Sequence, residues 1–127
     1  MKKIVWVSRH TMTHRQAAQL SAIYGEITVE QLDSTVQDVS EILARPADVY
    51  AVVLPLALLH ALRQHTDSDI IQPVSGRVRT GRMTVNPATG REEPEYAFDH
   101  LFWQRIVRLE LETETLLPED EKNLPKN

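Results

Sequence analysis

The densest group of chemically active side chains lies near the N-terminus, in the segment SRHTMTH that follows an apolar run. A guanidinium can hold a phosphate through two parallel hydrogen bonds, and an imidazole exchanges a proton near neutral pH. Hydroxyl groups add donors and acceptors that can orient a sugar or a phosphate. Together these residue types point to an anionic ligand with acid-base chemistry beside it. The side chains concerned are Ser8, Arg9, His10, Thr11, Thr13 and His14.

Apolar spacing predicts the elements that position this segment. In the first half of the chain, the predicted strands cover residues 4–7, 27–32 and 48–54. The first of them is apolar throughout, as expected for a strand covered on both faces. Helices are predicted after a Thr13-x-x-Gln16 capping box, behind a cap at Asp33 or Ser34, and over residues 56–64. Such alternation predicts parallel strands with helices on both faces of the sheet.

The second half predicts a different arrangement. A fourth strand is predicted at residues 70–74, and Pro73 confines it to an edge or an end. The turn-rich stretch PATG predicts a hairpin between residues 82–86 and 95–98, and residues 107–112 alternate like a half-buried strand. The fold expected is a small Rossmann-like three-layer α/β sandwich, with a mainly parallel sheet and a C-terminal hairpin and strand extension.

Length and composition limit the class of protein. The 127 residues predict one domain over residues 1–117 and a flexible tail over residues 118–127. The absence of Cys excludes disulfides and favours a reducing compartment, so we expect the cytoplasm. No apolar stretch is long enough for a membrane span. A net charge of −4 argues against a partner such as duplex nucleic acid.

No cofactor or metal is expected. The chain contains neither the GxGxxG fingerprint of dinucleotide sites nor the GxxxxGK[ST] motif of a P-loop. His10 and His14 are four residues apart, a spacing that can share a metal on a helix. His10 is predicted to precede the helix, however, and no third ligand is evident.

The predicted fold places SRHTMTH at the edge of the sheet where ligands bind. Ligands of open parallel sheets bind beyond the carboxyl ends of the strands, where the loop from the first strand to the first helix lies. The N-terminus of that helix offers backbone N–H groups and a partial positive charge to a phosphate. Thr13 has an equally good explanation as a helix cap.

A second basic region spans residues 76–91, which contain four Arg and no acid. Such a region is often simply solvated, but the neighbouring glycines make it a flexible electropositive loop. If it folds back over the carboxyl edge of the sheet, it would close a pocket for an anion. The ligand-binding residues expected there are Arg77, Arg79, Arg82 and Asn86.

An apolar strand that ends in Val7-Ser8-Arg9-His10 and leads into a helix, in a short chain without Cys, resembles the small CRISPR-associated Rossmann-fold (CARF-like) proteins. Some of these are ring nucleases that degrade cyclic oligoadenylate messengers. The resemblance covers the β-α-β-α-β half of the chain. It implies a homodimer that binds the cyclic nucleotide across its interface. It also implies metal-independent cleavage, in which a ribose 2′-hydroxyl attacks the adjacent phosphate and leaves a 2′,3′-cyclic phosphate.

The residues present can be matched to that reaction. His10 suits the deprotonation of the 2′-hydroxyl, and Arg9 suits the charge that builds on the phosphate. Ser8 is the third expected catalytic residue, and it could orient the sugar or the base together with Thr11 and Asn86. Thr13, His14 and the three arginines of the basic region complete the expected ligand contacts.

Two other functions fit the same residues. Histidine phosphatases also begin with an apolar strand ending in Arg-His, and this resemblance would make His10 the phosphorylated residue. Thr11 then stands where that family has Gly, and His100 would have to serve as the second catalytic histidine. The third function is a non-catalytic nucleotide sensor or dimeric adaptor. The aromatic residues Trp6, Trp103, Phe98 and Phe102 are expected in the core or at an interface.

Overall fold

The structure, a computed structural model that describes residues 1–121, contains one five-stranded sheet and three α-helices in that part of the chain. In chain order the elements are β1 (Lys2–Val7), α1 (His14–Tyr24), β2 (Ile27–Leu32), α2 (Val39–Leu43), β3 (Val49–Val52), α3 (Leu56–His65), β4 (Asp69–Val85), β5 (Glu92–Arg105) and a 3-10 helix (Glu119–Glu121). The strand order is β2-β1-β3-β4-β5, with β5 antiparallel and the other strands parallel. This confirms the predicted Rossmann-like class.

Buried side chains form two apolar clusters, one on each face of the sheet. Val5 and Val7 of β1 point into the cluster that α2 and α3 cover, whereas Ile4 and Trp6 point into the cluster that α1 covers. Successive side chains of a strand alternate between faces, so a strand between two helical layers must be apolar at every position. That requirement explains the unbroken apolar run at the end of β1. The predicted three-layer sandwich is confirmed.

Two capping boxes start the first two helices. At α1 the Thr13 hydroxyl accepts from the Gln16 N–H at 3.1 Å, and the Gln16 side chain accepts from the Thr13 N–H at 2.9 Å, as predicted. The predicted start of α2 is wrong: the helix begins at Val39 behind Asp38, not behind Asp33 or Ser34. Glu41 completes the box with Asp38, so the chain before Asp38 remains a loop.

The last two strands are much longer than predicted. β4 has 17 residues and β5 has 14, and they pair along almost their whole length. β3 pairs with β4 only as far as Ile71, so β4 has a single neighbour where Pro73 lies, as the missing proline N–H requires. Because β4 is parallel to β3, it continues past the carboxyl ends of the central strands. We call residues 75–100 the arm, and its turn lies at Asn86–Arg91 as predicted.

The predicted strand at residues 107–112 is wrong. β5 ends at Arg105, and the Ile106 carbonyl accepts from the Arg63 guanidinium at 3.1 Å instead of from a neighbouring strand. The chain then crosses the α3 side of the sheet, where Leu109 packs against the core. We call residues 107–117 the C-terminal segment. The predicted tail of residues 118–127 contains the 3-10 helix, and residues 122–127 lie outside the described part.

The α1 capping box gives a direct test of whether Thr13 acts through the helix. We expect Thr13→Ala to lower the free energy of unfolding by about 1 kcal/mol, because one N–H of the first turn loses its acceptor. Urea denaturation measures this difference. Thr11→Ala is the matched control, since Thr11 is exposed and lies before the cap. Equal stability of the Thr13→Ala variant and the control would contradict a capping role.

Candidate functional site

A cavity of about 290 Å³ opens where β1, β2 and β3 end. Its polar side comes from two loops, one after β1 and one after β2. Because the carboxyl ends of parallel strands meet at one edge, residues that are far apart in sequence converge here. The polar lining consists of Ser8, Arg9, His10, Ser34 and Thr35.

The opposite side of the cavity is apolar. It is formed by Val36 after β2 and by Val53, Leu54 and Pro55 between β3 and α3. Pro55 is also the N-cap residue of α3, and no side chain caps that helix. The N–H groups of the first turn of α3 are therefore left without a capping side chain beside the cavity. Arg9 and the two polar loops thus face an apolar wall that ends at the uncapped N-terminus of α3.

Two donors, the buried Trp6 and the half-buried Gln31, hold the loop that carries Arg9 and His10. The Trp6 indole N–H donates to the His10 carbonyl at 2.8 Å, and the Gln31 amide donates to the Ser8 and His10 carbonyls at 2.9 and 3.1 Å. The Ser8 hydroxyl accepts from the His10 N–H at 3.1 Å. Both carbonyl oxygens are therefore occupied by protein donors. Acceptors that would repel an anion are engaged, and the side chains of Arg9 and His10 lie beside the cavity.

The electrostatics of the cavity favour an anion. No carboxylate is among the residues that line it, and within residues 1–121 Arg9 forms no salt bridge. The side chains of Arg9 and His10 are exposed. An unpaired guanidinium loses no protein partner when it binds a phosphate, so all of its hydrogen-bonding capacity is available to a ligand. The described residues contain no group of three or more His, Asp or Glu side chains that could hold a metal ion.

Three expected ligand residues of the N-terminal segment lie outside the lining of this cavity. Thr11, Thr13 and His14 are all exposed, and the Thr13 hydroxyl accepts a hydrogen bond from the Gln16 N–H. The helix end at the cavity is that of α3 rather than that of α1. Of the segment SRHTMTH, the structure brings together Ser8, Arg9 and His10 around the cavity.

The arm does not bring its expected ligand residues to the cavity of the same chain. Arg77 stacks on the Tyr96 ring with 4.1 Å between the guanidinium carbon and the ring centroid. Asn86 donates to the Glu93 carboxylate at 3.1 Å within the turn. A strand rises about 3.3 Å per residue, so Arg77 lies roughly 20 Å and Arg82 roughly 35 Å beyond Ile71, the last residue paired with β3. The remaining expected residue, Arg79, is on the same arm.

His100 is buried away from the cavity, at the base of the arm. Its side chain is 3% exposed, its Nε2 lies 2.8 Å from the Gln19 side-chain oxygen, and its ring packs against Trp103. Its Nδ1 has no hydrogen-bond partner within the described residues. The phosphatase hypothesis needs a second histidine beside His10, and His100 does not line that cavity.

Four residues of the site escaped the sequence analysis as functional candidates. Ser34 was expected only as a helix cap, and Thr35 was not considered. Trp6 was expected in the core, which is confirmed, but its N–H also holds the His10 loop. Gln31 carried a visible signal: it occupies an apolar position in the alternation of β2. A polar side chain at such a position, at the end of a strand, suggests a partner in the adjacent loop.

Comparison with protein-family models, with curated protein sequences and with solved structures gives no match for this chain. Among the helices of residues 1–121, none is long and apolar enough to cross a bilayer.

His100 predicts how stability depends on pH. Burial lowers the pKa of His100 below its ordinary value of 6.5, the Arg15 cation lowers it further, and Asp99 opposes both effects. The unfolded chain thus binds a proton at a higher pH than the folded protein does. The free energy of unfolding is full above about pH 6.5 and falls as the pH decreases below it.

We expect His100→Gln to flatten this loss between about pH 7.5 and about pH 5, because the titrating group is gone. Urea denaturation at the two pH values measures the slope. His14→Gln removes an exposed imidazole and should keep the loss seen in the unaltered protein. An unchanged slope in the His100→Gln variant would show that another group causes the dependence.

Proposed function

We propose that the cavity binds a phosphodiester of a small nucleotide, and that the ligand is a cyclic oligoadenylate, as the resemblance to CARF-like proteins implies. The observation that carries this proposal is the pair Arg9 and His10, on a loop whose backbone is held by Trp6 and Gln31, opposite an apolar wall with no carboxylate in the lining. The absence of Cys favours a reducing compartment, so we propose that the protein works in the cytoplasm.

The two sides of the cavity suit the two halves of a nucleotide. Arg9 and the uncapped N-terminus of α3 supply positive charge and N–H donors to a phosphate. The hydroxyls of Ser34 and Thr35 can bond to a ribose or to a phosphate oxygen. Val36 and Leu54 offer an apolar surface for a base. Small-molecule sites combine an apolar lining with a few convergent polar groups in this way.

The size of the cavity supports a dimer. At about 290 Å³ it lies at the lower end of the ~300–1,000 Å³ typical of small-molecule sites. A ring of several nucleotides exceeds one such cavity, whereas two copies related by a two-fold axis would hold two of its phosphodiester units. Each chain then contributes few residues, because symmetry doubles them. We therefore propose a homodimer as the binding form.

The reaction we propose is an internal transesterification. The ribose 2′-oxygen attacks the adjacent phosphorus while the His10 imidazole takes the 2′-hydroxyl proton. Arg9 stabilises the added negative charge on the phosphoryl oxygens. The bond from phosphorus to the 5′-oxygen breaks, and the proton passes to that oxygen. The products are a 2′,3′-cyclic phosphate and a 5′-hydroxyl, and no water, oxidant or metal takes part in this step.

Arg9 tests the binding part of the proposal. We expect Arg9→Ala to weaken the affinity for cyclic tetra-adenylate about 10- to 100-fold, because a charge-assisted hydrogen bond to the phosphate is lost. Isothermal titration calorimetry measures this change. Arg91→Ala, at the turn of the arm, is the control and should bind as the unaltered protein does. An Arg9→Ala variant of unchanged affinity would contradict a phosphate contact at Arg9.

His10 tests the catalytic part. We expect His10→Ala to slow cleavage about 10²- to 10⁴-fold, since a general base is removed. His14→Ala, an exposed imidazole outside the cavity, should cleave at the normal rate. Single-turnover assays in EDTA, with chromatographic detection of the 2′,3′-cyclic phosphate, measure the rate. Binding without turnover in the unaltered protein would overturn the nuclease and favour the sensor; failure to bind any cyclic oligoadenylate would overturn the proposed ligand.

A further inference from the structure

The arm has two chemically different faces. Directly paired residues of two antiparallel strands share a face, and every second residue of one strand does so too. Phe98 pairs with Arg77, and Tyr96 pairs with Arg79. One face therefore combines two arginines with an apolar row. That row consists of Met83, Val85, Pro94, Tyr96 and Phe98. Glu92 pairs with Val85 and so adds one carboxylate to this face at the tip of the arm.

The other face and the free edge of the arm are acidic. Glu93 and Glu95 alternate with the apolar row on β5, and Asp99 continues this side toward the sheet. β5 is the edge strand, and it carries Pro94 as well as these carboxylates. Proline and charged side chains prevent another strand from pairing with an edge. A contact made by the arm therefore uses its apolar, basic face rather than the edge of β5.

The apolar side chains of the apolar, basic face are highly exposed, which indicates a surface that a partner covers. Phe98 is 79% exposed, Val85 59% and Met83 53%. A two-stranded ribbon of this kind is marginally stable alone in water. The chain exposes 9462 Å², whereas a compact monomer of 14.5 kDa exposes about 6,900 Å². The arm and the C-terminal segment both contribute to the difference, which exceeds the ~800 Å² that each partner buries in a typical interface.

The C-terminal segment has the complementary chemistry. Its sequence VRLELETETLL alternates apolar residues with acids, a pattern that indicates a half-buried strand. In the single chain this pattern finds little cover, since Val107 is 78% exposed and Leu111 is 70% exposed. Arg108 pairs with Glu110 at 2.7 Å, which leaves Glu112 and Glu114 as the acids in excess. An apolar, acidic segment matches an apolar, basic ribbon face.

The arm face and the C-terminal segment of one chain lie on opposite sides of the sheet. On β5, Phe98 shares its side with His100, which contacts Gln19 of α1. The C-terminal segment passes over α3, where Leu109 packs against the other core cluster. The two surfaces therefore do not meet within one chain, although the basic charge of the arm face complements the acidic charge of the C-terminal segment.

We propose that the apolar, basic face of the arm binds the C-terminal segment of a second copy of this chain. In a two-fold dimer this contact occurs twice, once in each direction. Arg77 and Arg79 then neutralise carboxylates of the partner rather than a phosphate. This assigns the surface through which the homodimer forms, and it does not depend on the identity of the ligand.

Complementary charge reversals test the contact without any nucleotide. One variant carries Arg77→Glu and Arg79→Glu, and the other carries Glu112→Arg and Glu114→Arg. We expect the unaltered protein to be a dimer and each variant alone to dissociate with a Kd about 10-fold higher or more, because like charges face each other. An equimolar mixture of the two variants should dimerise again, since both contacts of the mixed dimer regain opposite charges.

Sedimentation velocity measures the mass, and circular dichroism verifies that each variant is folded. Glu26→Arg with Asp67→Arg, a double reversal of exposed acids elsewhere, is the matched control and should remain dimeric. A monomeric unaltered protein would overturn the proposal. So would a segment variant that dimerises normally, or a mixture that fails to recover. Because no nucleotide is present, these outcomes are independent of the ligand tests above.

If either double variant is unfolded, Phe98→Ser provides a second measurement. This substitution removes the most exposed ring of the arm and reverses no charge. We expect it to weaken the dimer about 10-fold or more. Ile23→Ser changes an apolar residue of α1 that is 57% exposed and should leave the mass unchanged. Equal masses for both substitutions would overturn the arm as the interface.

Discussion

The rest of the structure depends on the contacts made by one buried side chain, the indole of Trp6. Its ring packs edge-on against Trp103 with centroids 5.8 Å apart, and its N–H donates to the His10 carbonyl. Trp103 in turn packs against His100 at the base of the arm and donates to the Gln16 carbonyl of α1. One side chain thus joins the α1 layer, the loop at the cavity and the strand that returns from the arm.

The cavity and the arm lie at different positions along the strand direction of the sheet. The cavity lies at the carboxyl ends of β1, β2 and β3, where strands stop and loops begin. β4 has the same direction but does not stop there, because β5 pairs with it far beyond Ile71. The arm therefore extends from the same edge of the sheet at which the cavity lies. Its arginines are nevertheless too far from that cavity to line it. The cation beside the cavity and the cations of the arm are therefore separated for a geometric reason.

Local signals in the sequence predicted much of this fold, because they depend on neighbouring residues. The capping box of Thr13 and the apolar run of β1 are examples, and both are confirmed. The failures involve contacts between distant residues. Alternation predicted a strand at residues 107–112, and this strand does not form. The carbonyl of Ile106 accepts instead from Arg63, 43 positions earlier. The convergence of Ser34 with Arg9 depends on the sheet order, and spacing along the chain does not encode it.

The arginines of the arm and Arg9 lie in different environments despite their identical chemistry. Arg9 stands beside an apolar wall and a helix end that lacks a capping side chain, and no carboxylate lines that cavity. Arg77 stacks on Tyr96 within an apolar row, where an anion would have to be desolvated against aromatic rings. On such a surface, binding costs less free energy for a carboxylate that belongs to an apolar segment than for a hydrated phosphate. The apolar residues beside the carboxylate bury area at the same time, and this offsets the cost of removing its water. The environment of each guanidinium, rather than its charge, therefore supports the proposal of a nucleotide at Arg9 and of a protein chain at the arm.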